Sequence, residues 1–96
     1  MINVLKRDGQ VAEFNLGKIN SAITKAFKAT EKYYTDDIIN LLALRVTADF
    51  QNKIKDNLIH VEDIQDSVEK ILEQTGYTDV AKAYILYRKN REKMRN

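Results

Sequence analysis

A turn between two short apolar runs, Val4-Leu5-Lys6-Arg7-Asp8-Gly9-Gln10-Val11, sets the architecture of this chain. Asp8-Gly9 is a strong hairpin signal, because a type I′ turn requires positive φ at both of its central residues. The stretch predicts a β-hairpin that begins at Ile2 and whose second arm runs from Gln10 to Phe14.

Helical signals fill the rest of the chain. Asn15 is a good N-cap, Thr35 precedes two acidic residues of a first turn, and Gly76 is a natural residue just past a helix end. The predicted helices run from Asn15 to about Thr30, from Thr35 to about Phe50, from Val61 to just before Gly76, and from Thr78 toward Asn96 without a stop signal. The fold class is therefore mainly α (α+β): a short hairpin followed by four helices.

The second helix differs from the others in its pattern. Its apolar residues cover more than one face, which predicts a largely buried helix or one with a second partner. These residues are Ile38, Ile39, Leu41, Leu42, Ala43, Leu44, Val46 and Phe50. The stretch from Gln51 to Leu58 is predicted to be a polar helix end and loop.

Composition limits the chemistry that the chain supports. Its 96 residues predict one domain, residues 1–96, and contain no Cys and a single His. No apolar run approaches the roughly 18 residues of a membrane span, and no signal peptide pattern is present, so we expect a cytoplasmic protein without membrane contacts. A last helix without a cap indicates a domain that continues into a longer protein or was cut from one.

The candidate functional residues lie at the two ends of the chain. Tyr84, Tyr87, Arg88 and Arg91 have the spacing of one helix face, which suits a ligand with an aromatic base and phosphates. Packed tyrosines with solvated arginines are the structural alternative. Lys6, Arg7 and Lys18 surround a tight turn and a helix N-terminus, which favour phosphates. Taken alone, the stretch from Lys6 to Gly9 is only a charged hairpin tip. No catalytic constellation is evident.

Four segments in this order resemble the ATP-cone family. They are Val-x-Lys-Arg-Asp-Gly from Val4, Phe-Asn-x-x-Lys-Ile from Phe14, Val61-x-x-Ile64-Gln65-x-x-Val68-Glu69, and Val80-Ala81-x-Ala83-Tyr84-Ile85-x-Tyr87-Arg88-x-x-Arg91. The resemblance implies a hairpin capping a four-helix bundle. The chain is most similar to the N-terminal regulatory domain of anaerobic (class III) ribonucleoside-triphosphate reductase. This similarity implies that residues 1–96 are a regulatory domain at the N-terminus of a longer chain, and that the parent chain is an oxidoreductase.

The resemblance also implies a nucleotide site between the hairpin and the helices. Val4, Ile19 and Val61 are expected near the base, Asn15 near the sugar, and Lys6, Arg7, Lys18, Gln65, Arg88 and Arg91 near the phosphates; Tyr87 joins them from the helix-face argument. Two positions depart from the family pattern. Ala12 stands where many cones have an acidic residue, and Val61 stands where a hydroxyl residue is common.

The implied function is allosteric. ATP would leave a ribonucleotide reductase active and dATP would inhibit it, both bound with Mg²⁺, with the rest of the reductase chain and further subunits as partners. Three alternatives remain: a basic helical module that binds nucleic acid, which the small net charge of +2 disfavours; a ligand-free assembly domain; and the cone of a repressor of reductase genes, which the absence of Cys disfavours.

Overall fold

A computed structural model of the protein describes the backbone of residues 1–94 and the side chains of residues 1–91. The elements are β1 (Asn3–Leu5), β2 (Val11–Glu13), α1 (Leu16–Ala29), α2 (Asp36–Asp49), a 3₁₀ turn (Gln51–Lys53), β3 (Leu58–His60), α3 (Val61–Gln74) and α4 (Thr78–Met94). The helices pack in a ring in which α1 contacts α2 and α4, and α3 contacts the same two helices. The predicted mainly α fold, with its hairpin and four helices, is confirmed.

A third strand completes the sheet. The order is β2-β1-β3, with β1 antiparallel to β2 and parallel to β3. Leu5 lies opposite Val11 on one side and His60 on the other. The stretch from Gln51 to Leu58, predicted as a polar helix end and loop, begins with a 3₁₀ turn that extends the end of α2. The prediction is wrong only at Leu58, which already belongs to β3.

The hairpin turn is not the predicted type I′ turn. The Lys6 N–H donates to the Gln10 carbonyl at 2.8 Å and the Gly9 N–H donates to the Lys6 carbonyl at 3.0 Å, which leaves a three-residue loop. Gly9 alone in this loop has a positive φ, 87°. The Asp8 carboxylate accepts the Gln10 N–H at 3.0 Å, a local bond that stabilises this longer loop.

The features of a type I′ turn occur instead before β3. Lys55 and Leu58 exchange backbone hydrogen bonds of 3.0 and 2.9 Å across Asp56 and Asn57. Both central residues have positive φ, 53° and 60°, a conformation that Asn and Asp tolerate better than most residues. This turn reverses the chain and directs it into β3.

The predicted helix boundaries follow from local hydrogen bonds. The Asn15 side chain accepts the Gly17 N–H at 2.8 Å, and the Thr35 hydroxyl accepts the Ile38 N–H at 3.2 Å. Gly76, with φ 89°, ends the turn after α3. These caps satisfy backbone groups that have no partner inside the helix.

The second helix buries one face only. Ile39, Leu42, Ala43 and Val46 are buried, whereas Leu41 and Leu44 are 55% and 58% exposed. The prediction of a largely buried helix is therefore wrong. The alternative, a second partner for the outer face, stays a prediction.

Phe27 lies at the centre of the core. Its side chain is fully buried, and the centroid of its ring lies 5.0 Å from the ring centroid of Tyr77 and 5.8 Å from that of Tyr34. These contacts join α1 to the connections before α2 and α4. Tyr33, next to one of these partners, is 80% exposed.

Replacing Phe27 with Ala should lower the free energy of unfolding by about 3–5 kcal/mol, because the cavity adds to the lost transfer energy. Urea titration followed by circular dichroism measures the loss. Tyr33→Ala is the matched control and should change the free energy by less than about 0.5 kcal/mol. Equal losses in both variants would contradict this position for Phe27.

A polar cluster fastens the end of α2 to α3. Asp49 accepts hydrogen bonds from the Lys70 ammonium at 2.9 Å and from the buried Ser67 hydroxyl at 2.8 Å. These bonds, that from Lys70 first, hold the pKa of Asp49 below its ordinary value of 3.8. A lowered carboxyl pKa stabilises the fold above the ordinary pKa, and this contribution disappears as the pH falls through the lowered value.

Asp49→Asn should therefore lower the free energy of unfolding by about 1 kcal/mol at pH 7. The difference from the wild type should shrink as the pH falls from the ordinary carboxyl pKa of 3.8 through the lowered pKa of folded Asp49, because the wild-type carboxylate becomes protonated. Urea unfolding at several pH values measures it. Glu73→Gln, which removes an exposed carboxylate elsewhere, should show no comparable difference at pH 7.

Candidate functional site

A cleft of about 660 Å³ lies where the sheet meets α1, α3 and α4. This volume falls within the range of about 300–1,000 Å³ that is common for small-molecule sites. All of the residues that the sequence analysis assigned to a nucleotide line it: Val4, Lys6, Arg7, Asn15, Lys18, Ile19, Val61, Gln65, Tyr87, Arg88 and Arg91. Four segments that are far apart in sequence thus meet at one concave surface.

The sheet and two helices give the cleft an apolar floor. Val4 lies opposite Ala12 in the hairpin register, so the two side chains share one face of the sheet. Ile19 of α1, with Ile64 and Val68 of α3, continues this surface, and all three are buried. The floor suits the flat apolar face of an aromatic ring.

Two helices begin at the cleft. Asn15 and Lys18 lie at the start of α1, and Val61 is the first residue of α3. His60, which precedes α3, makes no side-chain capping bond. Helix N-termini carry partial positive charge and attract anions.

Cations from α1 and α4 meet over one ring. The Lys25 ammonium lies 5.7 Å from the centroid of the Tyr87 ring, and the Arg91 guanidinium lies 5.9 Å from it. Arg91 also donates to the Tyr87 hydroxyl at 3.3 Å. Lys18 lies seven residues before Lys25 on α1, which is about 10 Å along the axis. The cleft therefore has a row of positive charge along one wall.

Lys25 is a cleft residue that the sequence analysis missed. Its spacing from Lys18 could have identified it, because residues seven positions apart lie on nearly the same face of a helix. Tyr84 also lines the cleft, but its side chain is buried. Burial raises the pKa of the Tyr84 phenol, so the group stays neutral over the physiological pH range.

Arg88 is held by α3 and is mostly covered. Its guanidinium donates to Asp66 at 2.9 Å and to Glu69 at 3.0 Å, and its side chain is 15% exposed. Burial by itself lowers the pKa of Arg88, but these two hydrogen bonds outweigh it and the pKa is raised. The arrangement ties α4 to α3 at the cleft.

Arg7 connects the hairpin loop to α3. Its guanidinium lies 3.3 Å from a Glu62 oxygen and donates to the Gln65 side-chain oxygen at 3.1 Å. Lys6, next in the chain, also lines the cleft. The hairpin tip is thus drawn over the start of α3.

Comparison with known proteins identifies the family of the chain. The family model described as the ATP cone domain matches residues 2–93. The chain belongs to the ATP-cone family. ATP-cone domains bind adenine nucleotides as regulatory domains, and this general role extends to the present chain.

Curated relatives of this ATP-cone domain are ribonucleotide reductases. The chain is 44% identical to the ribonucleoside-diphosphate reductase subunit alpha of Chlamydia pneumoniae, over 99% of this chain and 10% of the relative. It is 40% identical to the vitamin B12-dependent ribonucleoside-diphosphate reductase of Thermoplasma acidophilum, over 96% and 12%. It is 36% identical to the anaerobic ribonucleoside-triphosphate reductase of Haemophilus influenzae, over 93% and 12%. The chain spans about a tenth of the length of these relatives.

Two further properties concern metal binding and membrane-spanning helices. Among the described residues, no three His, Cys, Asp or Glu side chains are grouped so as to hold a metal ion. Within the same part of the chain, no helix is both long enough and apolar enough to cross a membrane. Lys93 and Arg95, which extend the basic end of the sequence, lie outside the described side chains.

Arg88→Gln should lower the free energy of unfolding by about 1–3 kcal/mol, because Asp66 and Glu69 would lose a charged hydrogen-bond partner in a half-covered position. Urea unfolding checks this loss. The neighbouring exposed Lys89 gives the matched control Lys89→Gln, which should remain within about 0.5 kcal/mol of the wild type. A stable Arg88→Gln protein would show that the ion pairs contribute little to the fold.

Proposed function

We propose that the cleft binds ATP and dATP, and that the bound nucleotide sets the overall activity of a ribonucleotide reductase. ATP leaves the enzyme active, and dATP inhibits it. The observation that carries this proposal is the meeting of an apolar floor, two helix N-termini and a row of cations in one cleft of about 660 Å³. The family assignment supplies the adenine nucleotide as ligand class.

The two ends of the cleft suit the two ends of a nucleotide. In the proposed complex, the base lies against Val4, Ile19 and Val61. Val61 has no side-chain hydrogen bond to offer, so backbone groups recognise the edge of the adenine. Asn15, whose side chain caps α1, lies beside the sugar.

In the proposed complex, the phosphates lie along the positively charged wall of the cleft. Lys6, Lys18 and Arg91 bind the phosphate oxygens, with support from the N-terminus of α1. Arg7 and Gln65 approach from the hairpin side, and Tyr87 holds Arg91 in place through its ring and hydroxyl. Arg88 is proposed at the edge of this group, since its present hydrogen bonds go to Asp66 and Glu69. The nucleotide binds as its magnesium complex, in which the phosphates hold the ion.

Regulation requires a parent enzyme. We propose that residues 1–96 form one domain of a longer reductase chain, as the short coverage of the relatives supports. The resemblance of its motifs favours an anaerobic parent, while the identity of 44% to a diphosphate reductase against 36% to an anaerobic one favours the other reductases. The proposal therefore rests on the reductase activity common to all of them.

The difference between the two ligands is a single hydroxyl. ATP and dATP must favour different states of the parent, and allosteric coupling of this kind is typically about 1–3 kcal/mol. Subunit association is the state that we propose to change. The exposed Leu41 and Leu44 on α2 provide one surface for such a contact.

A calorimetric titration with ATP, dATP and GTP in the presence of magnesium tests the proposal. Adenine-selective binding with different affinity or stoichiometry for ATP and dATP is expected. Absence of binding by all three would remove the sensor function and favour the assembly domain. Binding to DNA with steep salt dependence would favour the nucleic-acid module instead.

Lys6→Ala and Arg91→Ala should each weaken ATP binding by about 5- to 30-fold, since a hydrogen bond to a charged group contributes about 1.5–3 kcal/mol and these sites are partly solvated. Neither variant should unfold the bundle, because both side chains project from the surface of the core. Lys28→Ala, on the same helix as Lys25 but outside the cleft, is the control for lost positive charge. Affinity equal to that of the control in both variants would remove these residues from the phosphate site.

A further inference from the structure

The parallel pairing of β1 with β3 brings two opposite charges together. Leu5 lies opposite His60 in this register. Two residues further along each segment stand Arg7 and Glu62, whose side chains approach to 3.3 Å. The strand register therefore brings the two backbone segments together at the place where these side chains meet.

The same guanidinium faces the proposed phosphate site. Arg7 lines the cleft, whereas Glu62 lies beside it in the first turn of α3. Carboxylate and phosphate oxygens use the same donors of an Arg side chain and favour the same planar geometry. A phosphate that reaches Arg7 must compete with Glu62 for it.

We infer that Glu62 is an internal competitor of the phosphate chain, which lowers the affinity of the cleft for nucleotides by occupying Arg7. This inference rests on the proposed function. Binding exchanges the Glu62 carboxylate for a phosphate at Arg7, while the neutral Gln65 side chain, 3.1 Å from the guanidinium, remains as a partner in both states. Glu62 thereby adds to the binding free energy that the phosphate part of a ligand must supply.

The strand register also gives the exchange a mechanical consequence. Arg7 belongs to the hairpin loop, and Glu62 belongs to α3, which follows β3 without an intervening loop. Release of Glu62 removes a link between the hairpin tip and the start of α3. The nucleotide-bound and nucleotide-free forms therefore differ in how firmly these two elements are joined.

Calorimetric titrations of Glu62→Gln and Asp63→Asn with MgATP, adenosine and inorganic tripolyphosphate test the inference. Asp63 is the matched control, because it also lies in the first turn of α3 and its loss changes net charge and helix-dipole interactions equally. The Asp63 carboxylate lies 4.0 Å from the Lys53 ammonium, and Lys53 is not a cleft residue. Glu62→Gln should bind MgATP and tripolyphosphate about two- to fivefold more tightly than Asp63→Asn, and adenosine equally.

The outcomes separate the inference from the proposed function. Unchanged or weaker binding of both phosphate ligands by Glu62→Gln, or equal gains in both variants, would overturn the competitor role while wild-type ATP binding stands. Tighter tripolyphosphate binding without any ATP binding would support the competitor and reject the nucleotide sensor. In an Arg7→Gln background, Glu62→Gln should have no further effect; a persistent gain would show that Glu62 acts without Arg7.

Discussion

The position of β1 between two strands is the constraint on which the cleft depends. Three residues, Asn3–Leu5, pair with β2 on one side and with β3 on the other. β2 leads into α1 and β3 leads directly into α3, so the short central strand fixes where both helices begin. Without β1, the sheet side of the apolar floor would be missing, and nothing in the sheet would hold the N-termini of α1 and α3 next to each other.

Charge in the site is balanced by assigning arginines to different partners. Arg88 is committed to Asp66 and Glu69, where its side chain is mostly covered and its pKa is raised. The Arg7 guanidinium makes a longer ion pair, 3.3 Å to Glu62, and donates a hydrogen bond to the neutral side chain of Gln65 at 3.1 Å. A covered arginine bonded to two carboxylates strengthens the fold, whereas Arg7, whose side chain is 32% exposed, lies at the cleft where a ligand can reach it. The α3 helix thus supplies acidic partners with two different effects.

The helices and their caps could be predicted from local patterns, because an N-cap such as Asn15 and a terminal Gly76 act on backbone groups a few residues away. The strand β3 could not. Leu58–His60 is too short to show an alternating pattern, and its partner β1 is more than fifty residues away in the chain. The residues of the candidate site were identifiable from their motif order, and they do line one cleft. The contact between Arg7 and Glu62 could not be predicted, because it depends on the pairing of β1 with the unpredicted strand β3. Lys25 could have been predicted from its helical spacing to Lys18.

The parallel pairing of β1 with β3 also has a consequence for the order in which the molecule assembles. Closing a loop of this length costs more entropy than forming any hairpin or helical turn, and contacts of high sequence separation slow folding. The first strand emerges early during synthesis, yet it gains its second neighbour only after α1 and α2 have been made. We therefore expect the cleft to form late, once the bundle has begun to pack. A chain in which β1 and β3 have not yet paired would therefore lack the cleft, even where its helices have begun to pack.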